Sequence, residues 1–208
     1  MKEVLKNIFG ILVFLVLLAV IGRIFFFNFA QTNSYSMIPT LVPGDTFLVL
    51  TRWTLGPGDI AVCRNPENPR TMIVSRILGV PGSTFGISNN GPIINGRTLD
   101  HEFTNQIVYV DNTSGEHLEF LVDVAHEYLG GRDFQIAMMK RAGDRNFRVR
   151  EVETGFFLVG DNRNRARDSR HFGEVTISDC IGKAILVLWP GEDSGDLEQK
   201  HRIFEWLD

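Results

Sequence analysis

Apolar positions fall into two patterns along the chain. Residues 8–22 form one apolar run, broken by Arg23 and resumed by Ile24, Phe25, Phe26 and Phe27. As a single helix, residues 8–27 would span about 30 Å at roughly 1.5 Å per residue, the thickness of a bilayer's hydrocarbon core. Arg23 sits near one end of that run, where a long side chain can snorkel to the interface. Beyond Phe27 helical periodicity is scarce. Short β-branched and aromatic runs replace it at 47–50, 60–63, 72–78, 107–110, 120–124, 134–138, 147–152, 156–159 and 181–188. Turn-forming residues punctuate them: Pro43-Gly44-Asp45, Pro57-Gly58-Asp59, Pro81-Gly82, Asn90-Gly91 and Asn95-Gly96. Asn-Gly pairs suit hairpin turns because both residues tolerate positive φ. The pattern predicts a mainly β fold of twisted antiparallel sheets, or a partial barrel, behind one N-terminal transmembrane helix.

The alternative for the apolar run is a cleaved leader, with Lys2 and Lys6 as its basic end. A cleavage site needs small residues at −3 and −1, and Ala30 has Asn28 at its −3. A retained anchor is therefore expected. Lys2 and Lys6 precede the run while residues 31–40 carry no Lys or Arg. The positive-inside bias then puts the N-terminus in the cytoplasm and the β domain on the outer face of the cell membrane, with only Arg23 counting the other way. The expected layout is an anchor over 1–30, a β domain over 31–190 and a tail over 191–208. Within the domain, residues 100–153 read as an inserted β lobe. It holds His101, His117, His126 and the charged tract 140–145, none forming a reactive cluster. In the tail, Ile203, Phe204, Trp206 and Leu207 suit either a short amphipathic helix or a frayed end.

Composition narrows the function classes. A 208-residue chain that is 44% hydrophobic, with net charge −4, is globular and lacks the basic footprint of a nucleic-acid binder. Its two cysteines cannot build a disulfide scaffold, and neither has metal-site spacing. Cys63 ends one predicted strand and Cys180 precedes another. An outside location permits oxidation, but two unpaired, partly buried thiols are the expectation. Only five of the 21 basic residues are lysine, so a deprotonated amine has few sources: Lys2, Lys6, Lys140, Lys183 and Lys200.

Two segments could carry chemistry. Ser34-Tyr35-Ser36-Met37-Ile38-Pro39-Thr40-Leu41 sets serines beside a proline-stiffened turn, which can hold a nucleophile in one geometry. Gly160-Asp161-Asn162-Arg163, continuing to Asp168-Ser169-Arg170-His171-Phe172-Gly173, alternates acid and arginine around a turn and could form an ion-pair network. With Gly44-Asp45, Gly58-Asp59-Ile60-Ala61-Val62, Arg76-Ile77-Leu78-Gly79-Val80-Pro81-Gly82 and Ile181-Gly182-Lys183-Ala184, they resemble the boxes of the type I signal peptidases. The resemblance runs along nearly the whole chain in the family's order.

That resemblance implies a membrane-tethered serine endopeptidase that removes signal peptides from exported preproteins. Its partners would be those preproteins and the lipid bilayer, and it implies no cofactor or metal. Ser36 would attack the scissile carbonyl, and its backbone N–H with the Ser34 hydroxyl would form the oxyanion hole. Met37, Leu41 and Val74 would line the pockets for small side chains at −1 and −3. Arg76, Asp161, Asn162, Arg163, Asp168, Ser169 and Arg170 would support the site. In bacterial members the residue before the arginine of Arg-x-x-Gly-x-Pro-Gly is the general-base lysine. In this chain it is Ser75, which cannot accept a proton at neutral pH. The serine that orients the base is replaced by Ala166, and the family's Pro-Ser-Gly-Ser lead-in reads Asn33-Ser34-Tyr35-Ser36. An active peptidase would need a relocated base, with His171 and Lys140 as nominees. The other reading is a catalytically inactive homologue that keeps the peptide groove and escorts or assembles exported proteins. A relative of the self-cleaving repressor proteases is a distant third, opposed by the N-terminal span.

Overall fold

A computed structural model describes residues 2–88, 91–112, 116–139, 147–191 and 202–207. The chain begins with α1 (Lys2–Phe25). Its window Lys6–Arg23 has mean hydropathy 2.0 with none of it buried inside the protein, and it is long and apolar enough to cross a membrane. A helix apolar on every side with no protein against it requires an apolar surrounding. The helix stops two residues before the expected boundary because Phe27 opens a strand; Arg23 donates to the Phe27 carbonyl at 2.8 Å across that junction.

The strands are β1 (Phe27–Gln31), β2 (Thr46–Leu50), β3 (Ile60–Asn65), β4 (Asn68–Gly79), β5 (Thr84–Ser88), β6 (Gly91–Ile94), β7 (Arg97–Thr98), β8 (His101–Asp111), β9 (Leu118–Leu129), β10 (Arg132–Met138), β11 (Phe147–Glu151), β12 (Gly155–Val159), β13 (Val175–Thr176) and β14 (Cys180–Trp189). A four-residue helix, α2 (Ser169–Phe172), follows β12. The named strands pair antiparallel, in keeping with the mainly β expectation. The main sheet runs β1-β2-β14-β3-β4-β12-β13. Beside it lie a three-stranded sheet, β10-β9-β8, and a four-stranded one, β11-β5-β6-β7. Asn95 (φ 50°) and Gly96 (φ 76°) make the β6–β7 turn, as an Asn-Gly pair should.

Period-two alternation sorts the main sheet's faces. Ile60 and Val62 join Met37, Leu41, Phe47, Val49, Ala184 and Val187 in one core. Ala61 and Cys63 pack on the other face with Ile77, Phe156, Leu158 and Val175. A further core, including Phe85, Phe134, Ile136 and Phe157, joins strands of all three sheets.

Two expectations are corrected. Cys63 and Cys180 form a disulfide, because β3 and β14 are neighbours and set the two residues directly opposite, with Cα atoms 3.8 Å apart. Strand adjacency across 117 residues of sequence is invisible to local pattern. The end of the tail is neither helical nor frayed. Trp206 bridges to Leu186 on β14, Leu207 is buried in the first core, and Arg202 pairs with the buried Asp45 at 2.9 Å.

Candidate active site

The region is built around one 3₁₀ turn, Tyr35–Met37. Ser34 caps it: its Oγ accepts from the Ser36 N–H at 3.2 Å, and its own proton stays free to donate. The backbone N–H of Ser36 and the Ser34 hydroxyl thus face one another beside the Ser36 side chain. The turn is held from behind by Asn162, whose N–H donates to the Ser36 carbonyl (3.0 Å) and whose Nδ2 donates to the Tyr35 carbonyl (3.0 Å).

Ser36 opens onto a cleft of about 570 Å³. Three segments wall it: the end of β1 with residues 32–34, the β3–β4 hairpin with the first half of β4, and the stretch carrying Arg165 and Arg167 that leads to Phe172 at the end of α2. Ser75 and Val74 line it with Ser34 and Ser36. Ser75 is 3% exposed. On one side it is paired with Ala61. On the other, Val159 is paired with Arg76, so Gly160 is the next position opposite Ser75. Ala166 closes over Gly160: a Cβ built on Gly160 would lie 2.4 Å from the Ala166 Cβ and 2.5 Å from the Ser36 carbonyl oxygen. Only glycine fits there, and that lets Ala166 and the Ser36 carbonyl close in on this position.

Among the described residues no lysine or histidine lines the cleft. Lys183 shares a sheet row with Ala61 and Ser75, but its Nζ is 2.7 Å from Asp59 Oδ1 and the buried Ala61 stands between. His171 turns back on its own helix, where Nδ1 accepts from the Asp168 N–H at 3.4 Å as half of a capping box. Lys140 lies outside the described residues.

Charged residues support the cleft from the protein interior. Arg76 and Asp161 are wholly buried and joined by two hydrogen bonds, Nε–Oδ1 at 2.9 Å and Nη2–Oδ2 at 2.7 Å. The Arg76 guanidinium lies 3.9 Å from the Phe134 ring centre, and Thr40 donates to Asp161 at 2.6 Å. Burial opposes the charge of Arg163, but its bidentate pair with Glu127 outweighs that and raises its pKa. Asp168 accepts from the Gly160 N–H and both arms of Arg170, while the Ser169 Oγ accepts from the Leu158 N–H. Such pairs cost desolvation energy, so their value is geometric: they fix the loop that positions Asn162 and Ala166.

Met37 and Leu41 do not line the cleft. Both are fully buried in the core beneath, and Val74 packs against that same core. Sequence reading passed over Thr40, Tyr109 and Glu127, which anchor Asp161, Asn162 and Arg163. Only Thr40 had a local signal, its place in the serine-proline segment. It also passed over Glu67 and Arg167, whose ion pair forms part of the cleft wall across 100 residues of sequence.

Known proteins share this chain's sequence over most of its length. A signal peptidase I from Streptococcus pneumoniae is 27% identical over 197 residues, 91% of this chain and 95% of its own. A mitochondrial ATP-independent inner membrane protease subunit 1a from Arabidopsis thaliana is 28% identical over 201 residues, covering 94% and 90%. A solved signal peptidase I from Enterococcus faecalis matches 63% of this chain and 97% of its own at 23% identity, with a TM-score of 0.38. The family model described as signal peptidase, peptidase S26, matches residues 4–189, from the anchor helix to the last strand of the main sheet. With that span matched, the chain belongs to the peptidase S26 signal peptidase family.

Proposed function

We propose that the protein is a membrane-anchored serine endopeptidase of the signal peptidase I type, cutting signal peptides from exported preproteins, with Ser36 as nucleophile. The observation that carries this reading is the Ser34–Ser36 turn, open to a cleft and braced by Asn162, in a chain of that family. Ser36 Oγ would add to the scissile carbonyl carbon. The carbonyl oxygen would take the negative charge, held by the Ser34 hydroxyl proton and by the Ser36 N–H, which would turn to it from its 3.2 Å contact with Ser34 Oγ. The Oγ proton must leave as the bond forms and end on the departing amine, and Ser75 offers no group of suitable pKa to carry it.

We assign residues 1–30 to the anchor and 31–190 to the catalytic β domain, with 100–153 as an inserted lobe and 191–208 as the tail. Lys2 and Lys6 support a cytoplasmic N-terminus and a β domain on the outer face of the cell membrane. The partners in this reading are preproteins and the bilayer, without nucleic acid. A reporter active only outside the cytoplasm, fused after Asp208, should be active; a silent reporter would reverse the orientation.

A second reading, an inactive homologue that binds exported peptides, is supported by Ser75 and Ala166, which hold no proton acceptor at the positions where the family resemblance implies the base and its orienting serine. One experiment separates the two. Full-length protein is incubated with a generic signal-peptide substrate beside its Ser36→Ala variant. Slow cleavage that Ser36→Ala removes supports the peptidase. Binding without cleavage, unchanged by Ser36→Ala, supports the inactive homologue.

A further inference from the structure

The nucleophile turn is held by a residue of the three-stranded sheet that no family box contains. Tyr109, on β8, is wholly buried, and burial pushes its phenol pKa up. Its hydroxyl accepts from Asn162 Nδ2 at 2.9 Å. The same Nδ2 donates to the Tyr35 carbonyl, while the Asn162 main chain holds the Ser36 carbonyl. Tyr109 also stacks on the Tyr35 ring, with centroids 5.7 Å apart and 24° between planes. The Tyr35 hydroxyl in turn accepts from the Asn112 N–H at 3.1 Å, just past the end of β8. On its other side Tyr109 stacks on Phe120 of β9 at 5.4 Å, and Phe120 lies under the guanidinium of Arg165, a cleft residue.

We propose that Tyr109 is a positioning residue for Ser36, fixing the direction of the Ser36 N–H through Asn162 and Tyr35. This rests on the reading of Ser36 as nucleophile. A lone 3₁₀ turn of three residues has little stability of its own, so its geometry comes from what holds it. Asn162 is fully buried and its Oδ1 has no hydrogen-bond partner. The amide therefore depends on its two Nδ2 bonds. Removing the Tyr109 hydroxyl leaves one N–H buried and unpaired, a cost the side chain relieves by rotating. Rotation surrenders the Tyr35 carbonyl and loosens the turn. Tyr35, which stands where the family's Pro-Ser-Gly-Ser has glycine, supplies the second hold by stacking.

The test is amide hydrogen exchange, read residue by residue by NMR on full-length protein in micelles, comparing wild type with Tyr109→Phe and Tyr35→Gly. Tyr109→Phe keeps the ring and the fold. It should speed exchange at Ser36, Ile38 and Asn162 about three- to tenfold, the size of one lost hydrogen bond, and shift their cross-peaks. Val122 and Val124 on β9 should exchange at wild-type rates. Tyr35→Gly should loosen the same three amides with β9 again unaffected. Unchanged turn amides in Tyr109→Phe, or turn and β9 amides accelerating in step, would overturn the proposal. The cleavage comparison with Ser36→Ala tests the nucleophile independently, so failure of one reading is distinguishable from failure of the other.

Discussion

Two regions that meet at Ser36 differ in how they handle charge. Behind the turn, the Arg76–Asp161, Arg163–Glu127 and Arg170–Asp168 pairs are complete, buried and linked to the turn through Asn162. In front of it, Ser75 lines the cleft and Ala166 packs over Gly160, and neither carries a charge. The three supporting pairs match their charges, whereas among the described residues no lysine or histidine lines the cleft. Geometry and proton transfer are thus separable in this molecule. Keeping the ion pairs preserves the fold, since breaking any of them strands a buried charge. A serine at a position as buried as Ser75 brings no charge that must be paired.

The sharpest way to break that contrast is to refill the floor. Ser75→Lys should raise the initial rate of signal-peptide cleavage by at least about a hundredfold, the lower range for a positioned general base. Burial at a position 3% exposed lowers a lysine pKa toward neutrality, which is what a base requires. Adding Ala166→Ser should raise the rate further, and Ser36→Ala in that background should abolish it. No gain from Ser75→Lys would mean that the turn geometry has been lost along with the base.

Damage to the support should act on stability first. Asp161→Asn leaves the Arg76 charge buried without its partner and should cost about 3–5 kcal/mol in a denaturant titration. A change under about 1 kcal/mol would show that Arg76 finds water or another acceptor. The disulfide comes next. It ties β3 to β14, and Cys63 is paired with Ile73 of the cleft wall. The Cys63→Ser/Cys180→Ser double variant should lose about 2–4 kcal/mol, and intact mass should rise by two hydrogens on reduction of wild type. Thiol labelling of unreduced protein would refute the pairing.

The smallest effect is a pH dependence at Asp59, which pairs with Lys183 and Arg132. Burial alone would raise the Asp59 carboxyl, but hydrogen bonds from Lys183, the Gly56 N–H and Arg132 outweigh it and hold its pKa below the ordinary value. A lowered folded-state pKa means the unfolded chain binds the proton more tightly. The contribution is therefore complete above about pH 4 and is lost as pH falls through the lower folded value. The stability gap between wild type and Asp59→Asn should stay constant from pH 7 to about 5 and shrink in stronger acid. A gap that widens in acid would reverse the sign assigned to Asp59.

Legibility from sequence followed the range of each interaction. Each predicted β run after the anchor overlaps an observed strand, because alternation along one segment reports its own burial. The strands at 84–98 were missed, since Gly86, Gly91, Pro92 and Gly96 dilute their β signal. At the site, Ser36, Asp161 and Asp168 stood out because they lie in short motifs. Tyr109 and Glu127 did not, because each acts on a residue more than 30 positions away.

By itself the sequence determined the apolar span, the mainly β character, the serine turn and a serine, not a lysine, before Arg76, all properties of contiguous residues. Only the tertiary structure decided that Cys63 faces Cys180, that the tail docks on β14, that Met37 and Leu41 sit under the cleft, and that β8 supplies the hydroxyl holding Asn162. The physical reason is strand order. An antiparallel sheet makes neighbours of segments through backbone hydrogen bonds that are the same for every side chain, so which strands meet is settled by how all the apolar faces are buried together.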